Sequence, residues 1–379
     1  MGIGVVYANP HIFPQCKIIY RIANIPFCSV IPDMNQLERL NIIDAVVGAM
    51  LEGGYSVSER CDVRPMCFDL IAKREGNCIS RASALYSGQV ERARRDDNML
   101  IIKVLGNADA LDEDAAQKMI RIAVSIKGAP IVVAGRTSTE RLEDDAVYLR
   151  HNVPVVTFKT FRDYAIDDQC PIAYAGPGGL YAEVDSQRLR AMRESRNLSL
   201  SSLAGMLGVS RRTISMYESG MNMLVEVAAQ LEEWFGEEFV RPMRVFEANF
   251  MVEALGESAA RPPGNEEYAI PCTDAERYVI GELTEMGCDV IHVKRAPFDA
   301  IVQNEDADLN VLAGIGCAGE SARKARILKS VSDVTGVRPV VFAQEAPAKN
   351  ISGSPLISFE ELARIQTPEE MLELIIERS

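Results

Sequence analysis

Long hydrophobic runs, paired cysteines and histidine clusters are all missing from this sequence. No stretch reaches the roughly 18 uninterrupted apolar residues of a membrane span, and prolines and basic residues break the apolar runs near the start, so neither a span nor a signal peptide is expected. The nine cysteines include no Cys-x-x-Cys pair. The three histidines are far apart, at His11, His151 and His292. These absences argue against zinc fingers, disulfide frameworks and a bound metal or cofactor, and unpaired thiols favour the reducing cytoplasm.

Acidic residues outnumber basic ones over the whole chain, but not in one short segment. The 379 residues carry a net charge of -14, whereas a protein that coats nucleic acid needs basic residues to neutralise phosphate. Residues 186–220 contain six arginines and two acidic residues, a local charge of +4 that leaves -18 on the rest of the chain. A short basic run is most often a solvated surface, but a basic segment in an acidic chain also suits a focused phosphate-binding face.

The segment 198–220, LSLSSLAGMLGVSRRTISMYESG, has the spacing of two short helices joined by a turn. Ser199 is a good N-cap, and apolar residues then recur at helical spacing until Gly208 ends the first helix. Ser210 caps a second helix, whose predicted inward residues are Ile214 and Tyr217. Two short helices that cross steeply at a glycine turn form a helix-turn-helix.

Further amphipathic segments surround this motif. An upstream helix is predicted to face inward through Leu189 and Met192. Downstream, the predicted core stripe consists of Val225, Ala228, Leu231 and Trp234.

The motif L-x-x-L-A-x-x-L-G-V-S-x-x-x-I-S-x-Y-E-x-G resembles the DNA-binding domain of the phage lambda repressor and Cro family, over roughly residues 186–240. In that family the second motif helix, residues 210–218 here, enters the major groove of double-stranded DNA. The resemblance implies base contacts by Arg211, Arg212, Thr213, Ser215 and Met216. It implies phosphate contacts by Arg188, Arg193, Arg196, Ser199, Ser201, Ser202 and Ser210. The sequence departs at Leu200, where the family often has a polar phosphate-binding residue, so the neighbouring serines would have to take that role.

The regions on either side alternate predicted helices and strands. In residues 34–168 an initial helix is followed by strands at 57–61, 68–72 and 100–104, a helix at 111–127, strands at 130–134 and 154–157, and a last helix. Residues 271–379 repeat this order: 276–303 parallels 39–73, and GVRPVVFAQ matches GAPIVVAGR. Ordered matches of this kind indicate duplication. The predicted fold class is α/β plus all-α, with two related α/β domains flanking a five-helix helix-turn-helix domain at 186–248.

The order FDL at 68–70, a gap, then LIIKVL at 100–105 resembles the restriction-endonuclease and Holliday-junction-resolvase fold, whose site needs an Asp on one strand and an acid-x-Lys on the next. Asp69 and Lys103 occupy two of those places, but Ile101 stands where the second acid belongs. In the C-terminal copy Asp299 is present, and the matching strand NVLAGIG has neither acid nor lysine. Two carboxylates are needed to hold Mg²⁺ against the scissile phosphate. We therefore interpret these as vestigial nuclease positions, with Lys103 either paired with Asp69 or directed to solvent.

The whole arrangement resembles archaeal helix-turn-helix transcriptional regulators over about residues 34–379. Two pieces depart from that pattern: an N-terminal extension at 1–33, ahead of a possible alternative start, and an insertion at 76–98. The glycine-rich segment 171–185 is predicted to be a hairpin linker, and the segment 249–270, with its Pro-Pro pair, a second linker.

Three functions are open at this point. The favoured one is a sequence-specific transcription regulator, not an enzyme, that binds its operator as a homodimer formed through the α/β domains, because one short helix reads too few bases. The second is a metal-dependent nuclease or junction-processing enzyme, against which the missing acid argues. The third is a structural DNA-binding protein without an operator. No membrane partner is expected, and an effector ligand is not identified by any motif.

Overall fold

A computed structural model describes residues 39–61, 66–74, 98–248, 273–316 and 321–379. The predicted extension at 1–33, the linker at 249–270 and nearly all of the insertion at 76–98 lie outside these ranges. Among the described residues, no helix is both long and apolar enough to cross a bilayer.

The first α/β unit begins at helix α1 (Arg39–Glu52). It continues through strands β1 (Ser56–Val57), β2 (Leu70–Arg74) and β3 (Asn98–Leu105), helix α2 (Glu113–Ser125), strands β4 (Ala129–Ala134), β5 (Ala146–Arg150) and β6 (Val153–Val156), and helix α3 (Phe158–Asp167). Every residue of β4 is buried, as in a central strand with both faces covered. Helices α1 and α3 cover one face of the sheet and form a core with it.

The strand predicted at 57–61 is much shorter in the structure. Regular pairing ends at Val57, which lies opposite Ala72. The Ser58 amide still follows that register and donates to the Ile71 carbonyl. The Cys61 amide, however, donates to the Asp69 carbonyl, which regular pairing would place opposite Arg60. An extra residue of this kind interrupts a strand and turns the chain.

A second set of elements joins this sheet to the helical domain. Strands β7 (Ala173–Gly176) and β8 (Gly179–Ala182) lead into helices α4 (Ser186–Ser195), α5 (Leu200–Met206) and α6 (Arg211–Tyr217), strand β9 (Met223–Leu224) and helix α7 (Val225–Phe235). Four of the five predicted helices are thus seen within 186–248, and Ala248, the last residue described before a gap, is again helical.

The second α/β unit follows in the last described ranges. It comprises helix α8 (Asp274–Glu285), strands β10 (Asp289–His292), β11 (Ala300–Asn304) and β12 (Leu309–Ile315), helix α9 (Ser321–Thr335), strands β13 (Arg338–Ala343), β14 (Asn350–Ile351) and β15 (Ser354–Ser358), and helices α10 (Phe359–Leu362) and α11 (Pro368–Arg378). Helices α8, α10 and α11 cover one face of its sheet.

The two units have the same topology. The strand order is β1-β2-β3-β4-β6-β5 in the first and β10-β11-β12-β13-β15-β14 in the second. In each, the first two pairings are antiparallel, the next two are parallel and the last is antiparallel. A shared order with every strand sense preserved is what the internal duplication predicts.

The two units pack against each other within one chain. Helix α9 lies on its own sheet and also contacts β2 of the first unit. The rings of Phe68 and Phe298, both buried, are 6.5 Å apart between centroids, and the amide of Cys67 donates to the carbonyl of Arg295 at 2.7 Å. One hydrophobic core therefore contains residues of both sheets. Helices α2 and α9 contribute to this core as well. The homodimer that the sequence predicts through these domains stays a prediction, since the contact described here lies within one chain.

Candidate nucleic-acid interface

Helix α5 begins and ends where the sequence predicts. The Ser199 hydroxyl accepts a hydrogen bond from the Ser202 amide at 3.0 Å, which satisfies a free N–H of the first turn. Gly208 has a φ of +65°, a conformation that favours glycine, and it turns the chain after the helix. The side chains of Leu203, Ala204 and Leu207 are buried. Leu200 is half-buried and packs against the same core.

Helix α6 separates its buried and exposed residues as predicted, except at Thr213, which was expected to face outward. The Ser210 hydroxyl caps it by accepting from the Thr213 amide at 3.0 Å. Ile214 and Tyr217 are buried against the domain core. Thr213 is half-buried, with its hydroxyl 2.8 Å from that of Ser210. The side chains left exposed on this helix are Arg211, Arg212, Ser215 and Met216. Helix α6 therefore presents two guanidinium groups and one hydroxyl to solvent on a rigid element.

Arg193 does not share this exposure. Its Nε and one Nη donate to the Glu218 carboxylate at 2.5 and 3.1 Å, and its other Nη donates to the Leu198 carbonyl at 3.0 Å. The hydrogen bonds to Glu218 raise the pKa of Arg193 above its ordinary value. This pair ties α4 to the end of α6, 25 residues away. Arg193 was predicted from the sequence to contact phosphate, but its guanidinium is committed inside the domain, so we remove it from that set.

The other residues predicted to contact phosphate are accessible. Ser201 and Ser202 are exposed at the start of α5. Arg188 and Arg196 are exposed on the side of α7, where their guanidinium carbons lie over the rings of Phe239 and Phe235 at 5.7 and 4.8 Å. The carboxylate of Glu237 lies 3.8 Å from Arg188 and 3.6 Å from Arg196. This acid weakens the local positive potential on that side of the domain.

The predicted core stripe of α7 is wrong at its last residue. Val225, Ala228 and Leu231 are buried, but Trp234 is 46% exposed, and Phe235 takes the inward place. A step of four from Leu231 continues the same face of the helix as well as a step of three does, so periodicity alone does not decide between the two aromatic residues.

The predicted nuclease positions of the first unit meet at the join between the units. Asp69 is 2% exposed, and its Oδ2 accepts from the Val104 amide at 2.8 Å. The Lys103 ammonium lies 3.8 Å from Asp69 Oδ1 and donates to the Met66 carbonyl at 2.6 Å. Ile101 is fully buried in the core that the two units share. Of the two orientations open for Lys103, the structure has the one paired with Asp69.

The second unit repeats the aspartate but changes its partner. Asp299 Oδ2 accepts from the Ile315 amide at 2.6 Å, as Asp69 does from Val104. Its cation is Lys324 of helix α9, whose ammonium lies 2.5 Å from Asp299 Oδ2. Sequence reasoning missed Lys324, since nothing in the spacing links a helical lysine to an aspartate 25 residues earlier. In both units the aspartate carboxylate accepts a hydrogen bond from a backbone amide of the next strand, and a lysine ammonium group balances its negative charge.

Metal-binding side chains do not assemble elsewhere in the described ranges. Nowhere among those residues do three or more His, Cys, Asp or Glu side chains form a group that could hold a metal ion. Burial raises the pKa of the Cys67 thiol, which lies beside Phe68, to about 12. This thiol is therefore protonated at neutral pH and is not an available nucleophile.

Two family models match this chain. A helix-turn-helix model matches residues 189–238, which include all of α5 and α6. A model of the PD-(D/E)XK superfamily domain matches residues 92–171, from before β3 to just past α3. No solved structure matches the chain.

Several archaeal proteins named "Putative HTH-type transcriptional regulatory protein" resemble the chain over nearly their whole length. The protein from Methanocella arvoryzae is 34% identical over 345 residues, which cover 90% of this chain and 97% of the relative. The protein from Halorubrum lacusprofundi is 36% identical over 347 residues, with 90% and 98% covered. The protein from Methanocorpusculum labreanum is 31% identical over 347 residues, with 89% and 98% covered. The chain therefore belongs to this archaeal family of helix-turn-helix transcriptional regulatory proteins.

Proposed function

We propose that the chain is a transcription regulator that binds double-stranded DNA by placing helix α6 in the major groove. The observation that carries the proposal is the division of α6 into a buried face and an exposed face. Ile214 and Tyr217 hold the helix on the domain, while Arg211 and Arg212 extend into solvent at its first turn. The N-terminal residues of a recognition helix are the ones that reach base edges.

The exposed residues divide by chemistry into two proposed roles. Arginine is suited to the O6 and N7 acceptors of guanine, so Arg211 and Arg212 are proposed to read bases, together with Thr213, Ser215 and Met216. The hydroxyls and guanidinium groups around them would bind phosphate and so position the helix. These proposed phosphate ligands are Arg188, Arg196, Ser199, Ser201, Ser202 and Ser210.

The direct test is selection of DNA from a random pool of duplexes by the full-length protein. A regulator of this kind should enrich one sequence, and at physiological salt it should bind that sequence at least a thousandfold more tightly than a scrambled duplex, roughly the lower bound for specific readout. Mapping of bound DNA in cells should then recover the same sequence. Equal enrichment of all sequences would support the structural DNA-binding alternative instead.

We further propose that the endonuclease-like units do not cleave DNA. A nuclease site of this fold needs two carboxylates to hold Mg²⁺, and the second place is held by the buried side chain of Ile101. Burial adds a second obstacle. Asp69 lies where the two units pack together, beside the Phe68–Phe298 contact. A scissile phosphate would have to displace the groups that bury this carboxylate.

Neither the wild-type protein nor an Ile101→Glu variant should cut duplex, single-stranded or branched DNA in the presence of Mg²⁺ or Mn²⁺. The variant supplies the missing acid, but the Asp69 carboxylate stays buried. Ile101→Gln is the matched control, because it buries a polar group of the same size without the charge, and circular dichroism would show whether each variant folds.

Two results would contradict this prediction. Cleavage by the wild type that disappears in Asp69→Ala would show an active nuclease. Cleavage by Ile101→Glu but not by Ile101→Gln would show that the site is open to DNA, so that only the missing acid silences it.

We also propose that the regulator acts as a homodimer. A single seven-residue helix α6 reads one half-site, and useful specificity needs two. The face that carries Phe68 and Phe298 is used inside the chain, so the contact between chains would use another surface of the protein.

Sedimentation of the full-length protein should give a species of twice the 41.7 kDa chain mass. The selected DNA should then contain an inverted repeat whose half-sites are about 10 base pairs apart or a multiple of that. The full chain is the right material, because β7 pairs with β5 and the excised helical domain would lose this support. A monomer that binds a single asymmetric site with full affinity would contradict the homodimer.

A further inference from the structure

The hairpin of β7 and β8 does more than connect two domains. Strand β7 pairs in parallel with β5 of the first unit, with Tyr174 opposite Val147. Strand β8 pairs with β9, with Tyr181 opposite Leu224. A single nine-stranded sheet therefore runs from the first unit to strand β9, which follows the turn after helix α6. The segment predicted to be a linker is a structural part of both domains.

A side-chain hydrogen bond links this hairpin to the turn after helix α6. Asn222 donates from Nδ2 to the hydroxyl oxygen of Tyr174 at 2.7 Å, and both side chains are half-buried. The turn itself is bonded to the end of α6, since the amide of Gly220 donates to the Tyr217 carbonyl and that of Met221 to the Met216 carbonyl. A movement of Asn222 would thus be transmitted directly to the last turn of α6.

The neighbouring Tyr181 makes a comparable contact that stays inside the hairpin. Its ring stacks on that of Tyr174 with centroids 5.8 Å apart, and its hydroxyl donates to the Pro177 carbonyl at 2.8 Å. The ring also lies so close to Gly176 that a Cβ there would be 2.9 Å from it. Tyr181 shapes the hairpin, whereas only the Tyr174 hydroxyl reaches across to the turn.

The far end of the helical domain is held on the same unit. Val184 and Val240 form an isolated bridge, and the buried Glu232 carboxylate accepts from the amides of Phe239 and Val240 at 2.8 and 3.0 Å. A few residues later Phe246 enters the core of the first unit and stacks on Tyr164, with centroids 3.8 Å apart. The helical domain is thus fixed to the first unit at both ends, so its orientation depends on contacts such as the one from Tyr174.

We propose that Tyr174 is a positioning residue for DNA recognition. Its hydroxyl holds the turn after α6 onto the sheet of the first α/β unit, and so sets the angle at which Arg211 and Arg212 are presented to the groove. The inference rests on the proposed function and deepens it. Base contacts depend on this angle, since their hydrogen bonds are directional. Phosphate contacts tolerate small rotations better, because charge attraction has little angular dependence.

The experiment compares Tyr174→Phe with Tyr181→Phe in the full-length protein. Each variant loses one hydroxyl from the same hairpin, and only the first loses a hydrogen bond to the turn after α6. The probes are the duplex that the wild type selects from a random pool and a scrambled duplex of the same composition. We expect Tyr174→Phe to bind the selected duplex roughly two- to tenfold more weakly, which is the worth of one hydrogen bond. Its affinity for the scrambled duplex should be unchanged, and Tyr181→Phe should match the wild type on both.

A second measurement does not depend on DNA. Amide hydrogen exchange should become faster at residues 218–224 in Tyr174→Phe and stay at wild-type rates in Tyr181→Phe, because only the former loses a hydrogen bond that helps to hold the turn. Asn222→Ala added to Tyr174→Phe should cause little further change, since both remove the same bond.

Wild-type exchange at 218–224 together with wild-type affinity in Tyr174→Phe would overturn the inference. An equal loss of affinity for both duplexes would also overturn it, because general destabilisation lowers the two alike. A wild-type protein that enriches no sequence would instead refute the proposed function, whatever the exchange rates show.

Discussion

Replacing Arg211 and Arg212 together by alanine is expected to remove most of the sequence-specific affinity for DNA. A bidentate contact between arginine and guanine is worth about 1–3 kcal/mol, so each single variant should lose roughly five- to 150-fold in affinity for the selected duplex. The double variant should approach the affinity of the wild type for scrambled DNA. The helix itself should persist, because the cap at Ser210 and the buried Ile214 and Tyr217 are unchanged. Titrations with both duplexes at two salt concentrations would measure the effect.

Arg190→Ala is the matched control for this prediction. Arg190 is an exposed arginine of the same domain that pairs with Glu194 at 3.0 Å, and the sequence motif gives it no role at the DNA. Its removal changes the net charge as much as either single variant does, so it reports the general electrostatic effect. Arg196→Gln should weaken binding to both duplexes evenly and reduce the salt dependence. If Arg211 and Arg212 behaved like Arg196, they would be phosphate ligands rather than readers of bases.

Phe298→Ala should destabilise the protein by about 3–5 kcal/mol, the usual result of truncating a fully buried phenylalanine. Phe298 is buried in the core that the two α/β units share, and its ring faces Phe68. Denaturant unfolding would measure the loss. Hydrogen exchange should also become faster in helix α2 of the first unit, which contributes to the same core without containing the substituted residue.

Phe342→Ala is the matched control, since Phe342 is equally buried but belongs to the separate core of the second unit. It should cost a similar free energy of unfolding, while exchange in α2 stays at the wild-type rate. Faster exchange in α2 with both substitutions would mean that the chain unfolds as one body. Unchanged exchange in α2 with Phe298→Ala would mean that the two units are stable without each other.

Local features of the fold follow well from the sequence, because they are decided by residues close together in the chain. Helices α5 and α6 begin at the serines that the motif marks as caps, and α5 is followed by the predicted glycine turn. The repeat of strand and helix order was visible as matched segments, and the two sheets share one topology. The missing acid at Ile101 is likewise a matter of residue identity at one strand position.

The predictions from sequence were wrong or incomplete where periodicity allowed two choices or where the partner of a side chain lies far away in the chain. Trp234 and Phe235 both continue the stripe of α7, and Phe235 is the one that the domain core buries. The family resemblance predicts that Arg193 contacts phosphate. Its actual partner, Glu218, is 25 residues away, so local spacing does not reveal the pair. Asp299 likewise gained Lys324 from a helix that no motif connects to it.

The sequence by itself determined the class of this protein, because the spacing of caps, glycines and apolar residues over some twenty positions specifies a helix-turn-helix through local hydrogen bonds and periodic burial. Only the tertiary structure decided that the α/β units pack together within the chain, that Asp69 is buried, and that Asn222 donates to the Tyr174 hydroxyl. These outcomes depend on which surfaces meet when the sheets pack. The apolar residues of the shared core are spread along the chain from Cys61 to Leu356, and local patterns do not say which distant surface will cover each of them.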